Sequence, residues 1–239
     1  MKYQNVFQRY ELKYLITKEQ QKLLLAVMEE YMEPDKFGKS TICNIYFDTP
    51  SKLLIRRSNE KPVYKEKLRM RSYGVATPDT TVFVELKKKY KKVVYKRRIH
   101  MPEAAAMAYL KEGIKPTKET QITKEIDYFC EFYKGIEPAL FMSYERKAFF
   151  SKSDSNFRMT FDENILCRDY DLSLTAGTYG TPILDKDMVL LEVKTALGIP
   201  LWLIDFLNEN KLYKTSFSKY GTAYKSIILP KILGGNKVA

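Results

Sequence analysis

The sequence predicts an α+β fold: a closed antiparallel β-barrel tunnel of about eight strands with helices packed outside. Three observations lead to this. First, ionic side chains occupy alternate positions of strand-like segments, as in Lys67-Leu68-Arg69-Met70-Arg71, Val84-Glu85-Leu86-Lys87 and Leu191-Glu192-Val193-Lys194. Successive residues of a strand face opposite ways, so each segment has one charged and one apolar side. Second, the apolar sides (Leu68, Met70, Val84, Leu86, Leu191, Val193) need cover, and amphipathic helices elsewhere in the chain can supply it. Third, about eight such segments are enough to close a barrel, which turns the ionic sides inward around a channel.

Each element has a local reason. Residues 8–16 alternate as a strand, and the parity places Arg9 with Glu11 and Lys13. Thr17-Lys18-Glu19-Gln20 has the form of a capping box, and Leu24, Val27, Met28 and Tyr31 follow at helical spacing, predicting a helix over 18–31. Pro34 and Gly38 end it; 42–47 reads as a strand, Asp48-Thr49-Pro50 as a turn and 51–58 as a short helix. Strands are expected over 62–73, 80–89 and 92–101, the last two joined by a basic hairpin at 88–92. Helices follow at 103–112 and 119–134, the second with Ile122, Ile126, Phe129 and Tyr133 as its stripe. Strands at 138–150, 157–166 and 189–195 come next, with a polar stretch at 169–187 read as a loop or a further short strand. Pro200 opens one helix, 218–228 forms another, and 234–239 is expected to fray. No repeat or linker divides the 239 residues, so a single domain spans 1–239.

Composition narrows the function. Lys and Arg number 41 against 29 Asp and Glu, a net charge of +12 that favours polyanionic partners. The three cysteines (Cys43, Cys130, Cys167) are far apart and form no Cys-x-x-Cys pair, which argues against a zinc site or a disulfide framework. The absence of an N-terminal apolar run, of a membrane-spanning stretch and of an Asn-x-Ser/Thr sequon predicts a cytoplasmic protein. The single histidine, His100, has no acidic neighbour and reads as exposed and idle, against phosphohistidine or Ser-His-Asp chemistry. No Gly-x-x-x-x-Gly-Lys loop occurs, so a P-loop ATPase is not supported.

A channel lined by these charges needs an anion. Two like charges about 4 Å apart repel by about 4 kcal/mol at an effective dielectric near 20, so basic side chains across one tunnel call for water, counter-anions or ligand. Carboxylates on the same walls offset part of this and offer oxygen ligands to a hard cation. The simpler alternative for each strand alone is a solvated charged face.

Nine motifs occur in a fixed order: Arg9-Tyr10-Glu11-Leu12-Lys13; Ile45-Tyr46-Phe47-Asp48-Thr49; Lys67-Leu68-Arg69-Met70-Arg71-Ser72-Tyr73-Gly74; Val84-Glu85-Leu86-Lys87; Lys96-Arg97-Arg98; Tyr144-Glu145-Arg146; Arg158-Met159-Thr160-Phe161-Asp162; Leu191-Glu192-Val193-Lys194; and Phe217-Ser218-Lys219-Tyr220-Gly221. In this the chain resembles the VTC domain of polyphosphate polymerases, within the triphosphate tunnel metalloenzyme (CYTH-like) superfamily. The resemblance implies Mn²⁺ or Mg²⁺ as cofactor, and ATP and inorganic polyphosphate as ligands. The implied reaction is transfer of the terminal phosphoryl group of ATP to a growing chain. By matching motif, Lys13, Arg69, Arg71, Lys87, Arg146, Arg158 and Lys219 are the catalytic phosphate contacts. Lys96, Arg98, Tyr144 and Ser218 support the bound nucleotide, and Glu192, with Glu11, Glu85 and Asp162 as helpers, holds the metal. Larger eukaryotic members add an inositol-phosphate-sensing domain and a membrane segment; neither is expected in this chain, which leaves a membrane protein as a partner and no specific nucleic acid.

The residues themselves agree with phosphoryl transfer. Arginine forks at 69 and 71 suit phosphate oxygens, lysines act as point charges, and the helix start at Ser218-Lys219 offers free N–H groups. A terminal phosphate is already an anionic nucleophile, so no strong base is required. Plainer roles compete: Ser218 as an N-cap, Tyr220 and Tyr224 as core, Glu192 paired with Lys194, and Lys88, Lys89, Lys91 and Lys92 as a solvated hairpin tip. A hydrolase of triphosphates on the same tunnel and a non-catalytic polyanion-binding module are the alternative functions.

Overall fold

The structure is a computed structural model that describes residues 10–91 and 93–234. Arg9, Lys92 and the tail 235–239, on which expectations were placed, lie outside the described residues. Strands β1 (Tyr10–Thr17), β2 (Met32–Asp48), β3 (Tyr64–Tyr73), β4 (Thr81–Tyr90), β5 (Val93–Pro102), β6 (Glu137–Ser151), β7 (Arg158–Arg168), β8 (Thr181–Pro182) and β9 (Met188–Thr195) form one antiparallel sheet in the order β1-β9-β7-β6-β2-β3-β4-β5, with β8 paired to β7.

Helix α1 (Lys18–Tyr31) starts at the predicted capping box: Gln20 N donates to Thr17 Oγ1 at 3.1 Å and Thr17 N to Gln20 Oε1 at 2.9 Å. Helices α2 (Leu53–Asn59), α3 (Glu103–Met107, continued by a π-turn over Ala108–Glu112), α4 (Gln121–Tyr133), α5 (Leu201–Glu209), α6 (Lys219–Ala223, continued by a π-turn over Tyr224–Ile228) and α7 (Leu229–Gly234) complete the order.

Two apolar layers coat the back of the sheet. Leu68, Met70, Val84 and Leu86 pack beneath Ile126 and Phe129 of α4. Phe161, Leu191 and Val193 pack beneath Leu24 and Met28 of α1 and Leu203 and Phe206 of α5. Each such side chain contributes about 1.5–3 kcal/mol on burial, and this fixes which side of every strand turns away from the charges.

Two expectations are corrected. The ladder does not close among the described residues: no pairing joins β1 to β5, although the sheet curls far enough for Lys87 Nζ of β4 to reach Glu11 Oε2 of β1 at 3.9 Å. Nor do all helices lie outside. The α6 segment packs on the charged side of the curl, where Tyr220 stacks on Tyr46 at 4.6 Å and, with Ala223 and Ile228, meets Leu140, Met142, Ile165 and Leu190. Apolar residues at that end of the inner side explain this placement, since they need cover that the outer helices cannot give.

Smaller differences have local causes. β2 begins at Met32, because Gly38 at φ +57° lets the strand shift register between Pro34 and Lys39 and continue. Lys88 and Lys89 belong to β4, and the hairpin turns at Lys91, whose φ is +53°. The short strand β8 follows Gly180 (φ +145°), where a Cβ would lie 2.4 Å from the Cys167 carbonyl oxygen, so only glycine fits. The three cysteines are free. No helix among the described residues is long and apolar enough to cross a membrane.

Candidate functional site: a cation-lined cavity

The inner side of the curl encloses a cavity of about 890 Å³. Of the residues assigned from sequence to phosphate, nucleotide or metal, all but Asp162 line it: Lys13, Arg69, Arg71, Lys87, Arg146, Arg158 and Lys219; Lys96, Arg98, Tyr144 and Ser218; Glu192, Glu11 and Glu85. Asp162 lies just behind the wall. Among the described residues the lining holds eleven Lys and Arg against four Asp and Glu, so the cavity carries a large positive excess.

The alternation that builds these strands also sets the cations in rows. Across β3, β4 and β5, Lys67 is opposite Lys87 and Lys87 opposite Lys96. The next row is Arg69, Glu85 and Arg98, and the one beyond is Arg71, Phe83 and His100. Like charges directly opposite one another destabilise a sheet, so the all-lysine row is a cost that an anion would relieve.

Two carboxylate centres organise the rest. Glu85, fully buried, accepts from Arg69 Nε at 2.7 Å and meets Lys96 Nζ at 2.6 Å, with Arg98 Nε 3.8 Å and Arg71 Nε 4.0 Å away. Glu192 meets Lys219 at 2.9 Å, Lys13 at 3.1 Å, Arg146 at 3.2 Å and Lys194 at 3.5 Å. Behind it Asp162 takes two 2.6 Å hydrogen bonds from Arg146 and meets Lys219 at 2.5 Å. Burial alone would raise all three carboxyls; the surrounding cations overcome it and hold each below the usual range, Lys219 foremost at Glu192, Lys219 and Arg146 at Asp162 and Arg69 at Glu85.

Arg71 is held differently, by neutral groups. Its Nε donates to Asn44 Oδ1 at 2.9 Å and its Nη2 to the Tyr144 hydroxyl at 3.2 Å. The Tyr144 phenol is lowered despite burial, because Arg71, Arg146 and Lys219 surround it. Lys219 opens α6, and Ser218 is the N-cap, accepting from Gly221 N at 3.3 Å. Tyr220 is buried and donates to Asp48 Oδ2 at 2.9 Å.

Two lining lysines were given no ligand role from sequence: Lys67, and Lys194, which was read only as a partner for Glu192 and meets it at 3.5 Å. Lys67 has its ammonium 5.9 Å from the Tyr220 ring centre and meets no carboxylate within 4 Å among the described residues. Burial, then Lys65, Lys87, Lys13 and Arg69, bring its pKa down to about 7. Lys194 is likewise lowered by burial and Arg146, though Glu192 and Glu11 oppose the shift. Strand parity already placed both on the charged side; what the sequence did not show is how little carboxylate faces Lys67.

A divalent metal fits one part of this wall. Glu192 and Glu11, on paired strands, both reach the Lys13 ammonium, at 3.1 and 3.2 Å, and present hard oxygen donors to the cavity. Burial and Glu192 would raise Glu11, yet Lys87, Lys13 and Lys194 hold it at about 2, so it is ionised. One or two carboxylates completed by phosphate oxygens and water is the usual setting for magnesium. Among the described residues no group of three or more His, Cys, Asp or Glu converges on one point.

An inward-facing cation wall on a curled antiparallel sheet, helices behind it and one helix at its end, defines a triphosphate-tunnel type of domain. The family model for the VTC domain matches residues 8–228, and the chain belongs to that family. Among solved structures it is similar to a candidate adenylate cyclase from Bacillus halodurans (TM-score 0.55, 14% identity, 90% of this chain and 96% of that one). It is also similar to a candidate adenylyl cyclase from Hippeastrum with a dominant triphosphatase activity (TM-score 0.51, 15% identity, 90% and 94% covered). No curated sequence matches the chain.

Proposed function

We propose that this protein is a phosphotransferase that lengthens inorganic polyphosphate with the terminal phosphoryl group of ATP inside the cation-lined cavity. The row Lys67-Lys87-Lys96 supports this most directly: beyond the arginines that suffice for a triphosphate, three lysines in register offer sites to further phosphates. Membership of the VTC domain family supports the same reading.

The chemistry asks little of the protein beyond placement and charge. Arg71 and Arg69 present guanidinium forks pre-oriented by Asn44, Tyr144 and Glu85, so little ordering cost remains when phosphate arrives. Arg146 and Lys219, braced by Asp162 and Glu192, supply positive charge on the other side of Tyr144 from Arg71. An oxygen of the chain's terminal phosphate attacks the γ-phosphorus of ATP. A new P–O–P bond forms, the bond from that phosphorus to the β–γ bridging oxygen breaks, and ADP leaves with that oxygen. The nucleophile is already anionic, so the step requires no strong general base. Glu192, with Glu11, is the proposed holder of Mn²⁺ or Mg²⁺; the ion would neutralise charge on the phosphate oxygens. Glu85 is proposed to hold Arg69 and Lys96 rather than metal: it is as crowded by cations as Glu192, but among the described residues no second carboxylate stands beside it as Glu11 stands beside Glu192 across Lys13.

Pure protein given ATP, Mn²⁺ and a short polyphosphate primer is expected to yield long polymer on a gel, and Arg69→Ala with Arg71→Ala to abolish it while the fold stays intact. Free phosphate as the sole product would replace this reading with hydrolysis. Tight polyphosphate binding without turnover would replace it with a binding module.

A further inference from the structure

The inner side of β3, β4 and β5 changes character along the strands. Lys65 is opposite Lys89, and the next row is Lys67, Lys87 and Lys96. The compensated row of Arg69, Glu85 and Arg98 follows, then Arg71, Phe83 and His100, and Tyr73 ends β3. Lysine thus gives way to mixed ions and then to rings.

The rings are built, not scattered. Phe83 is covered on one face by the Arg98 guanidinium at 3.3 Å and packs edge-on against Tyr73 at 5.8 Å. Tyr73 keeps 54% of its surface exposed, and Phe37, on the segment of β2 that runs past the same end, keeps 71%; both line the cavity. Exposed rings of that size beside a phosphate wall have no use in binding a chain of phosphates, which has no π-face. They suit a nucleobase.

We infer that Tyr73 and Phe37 form a nucleoside subsite and that the growing polyphosphate lies over the lysine rows at the other end. The inference rests on the proposed phosphotransferase reading and assigns the cavity its direction. Two constraints agree with it. From Arg69 to Tyr73 is four residues, about 13 Å of strand, comparable with the span of an extended nucleoside triphosphate from its last phosphorus to its base. In phosphoryl transfer the attacking and leaving oxygens stand in line on opposite sides of the phosphorus. With the base at the aromatic end, ADP departs that way and the chain must approach from Lys67, with Lys65 and Lys89 beyond.

The test is equilibrium binding by calorimetry of three ligands: ATP, inorganic tripolyphosphate and a polyphosphate of about a hundred units, at fixed salt. Tyr73→Ala combined with Phe37→Ala is expected to weaken ATP by about tenfold or more and to leave tripolyphosphate within about twofold, and Tyr73→Phe to restore most of the loss. Lys65→Ala with Lys89→Ala is expected to weaken the long polymer and spare ATP. Equal losses of ATP and tripolyphosphate in the aromatic variant, or no loss of either, would overturn the subsite. A polymer affinity untouched by the lysine variant would overturn the direction. Failure of the wild type to bind tripolyphosphate at all would instead sink the underlying phosphate-site reading. Thermal melts of each variant separate misfolding from lost contacts.

Discussion

Lys67 shows how one side chain can carry the cost of a site built for anions. Its ordinary pKa is 10.5, and burial with Lys65, Lys87, Lys13 and Arg69 brings it to about 7 in the folded protein. The unfolded chain therefore binds more protons between about pH 7 and 10.5, and this residue's contribution to stability rises with pH across that window. Below pH 7 both states are protonated and the penalty is complete. Bound polyphosphate reverses the imbalance, because phosphate oxygens favour the ammonium. At pH 8 tripolyphosphate binding is expected to take up close to one proton more in wild type than in Lys67→Met, read from binding heats in buffers of different ionisation enthalpy. Identical proton counts in the two proteins would mean that phosphate does not reach Lys67. Parity in the sequence already aligned this lysine with Arg69 and Arg71. That no carboxylate among the described residues comes within 4 Å of it was invisible there, because the answer depends on which side chains arrive from other strands, Lys87 and Lys13 among them.

At the scale of elements, alternation made most strands and their faces legible, and the capping box at Thr17 and Gln20 located α1. What alternation could not show is where parity breaks. In β7, Arg158, Thr160 and Asp162 turn inward, yet further along Ile165 and Cys167 join the inner apolar cluster and Arg168 turns out. The switch sits at Asn164, φ +50°, where the pairing with β6 slips between Ser143 and Glu145. One extra residue thus moves Arg168 from the cavity to the back, where its charge has a different task. Arg168 donates to the carbonyls of Asp171, Ser173, Gly177 and Tyr179 at 2.9–3.2 Å, between the rings of Phe141 and Tyr179. It therefore pins the loop at 169–180 over the sheet, with Leu174 inserted in the outer core. Arg168→Ala is expected to cost about 3 kcal/mol or more of unfolding free energy, since four partly buried carbonyls lose their donor and the rings of Phe141 and Tyr179 lose the group packed between them. The same change should open the loop to proteolysis while the affinity for tripolyphosphate holds; a loop that stays resistant would show that other contacts fix it.

The whole molecule is a ribbon of strands curled around its own charge. Apolar layers beneath α1, α5 and α4 hold the two halves from behind, and Tyr220 with its neighbours holds one end from within. At the free rims little opposes the repulsion. β1 and β5 share no ladder among the described residues, and the ion pair of Lys87 with Glu11 that spans the curl there is 3.9 Å long and partly exposed, so that solvent screening leaves it worth about 1 kcal/mol or less. A polyanion touching Lys13, Lys87 and Lys96 at once would tie these rims together more strongly than the protein's own contacts do. Amide exchange is therefore expected to be fast in β1 and β5 of the free protein and to slow in both on adding tripolyphosphate, with the interior strands β2 and β6 unchanged. Ligand at a hundred times its dissociation constant should add about 2.7 kcal/mol to global stability, and Arg69→Ala with Arg71→Ala should erase both effects. Slowing confined to β3 and β4 would mean that the anion is held by one wall alone, and that the curl stays closed at its rims for reasons other than its cargo.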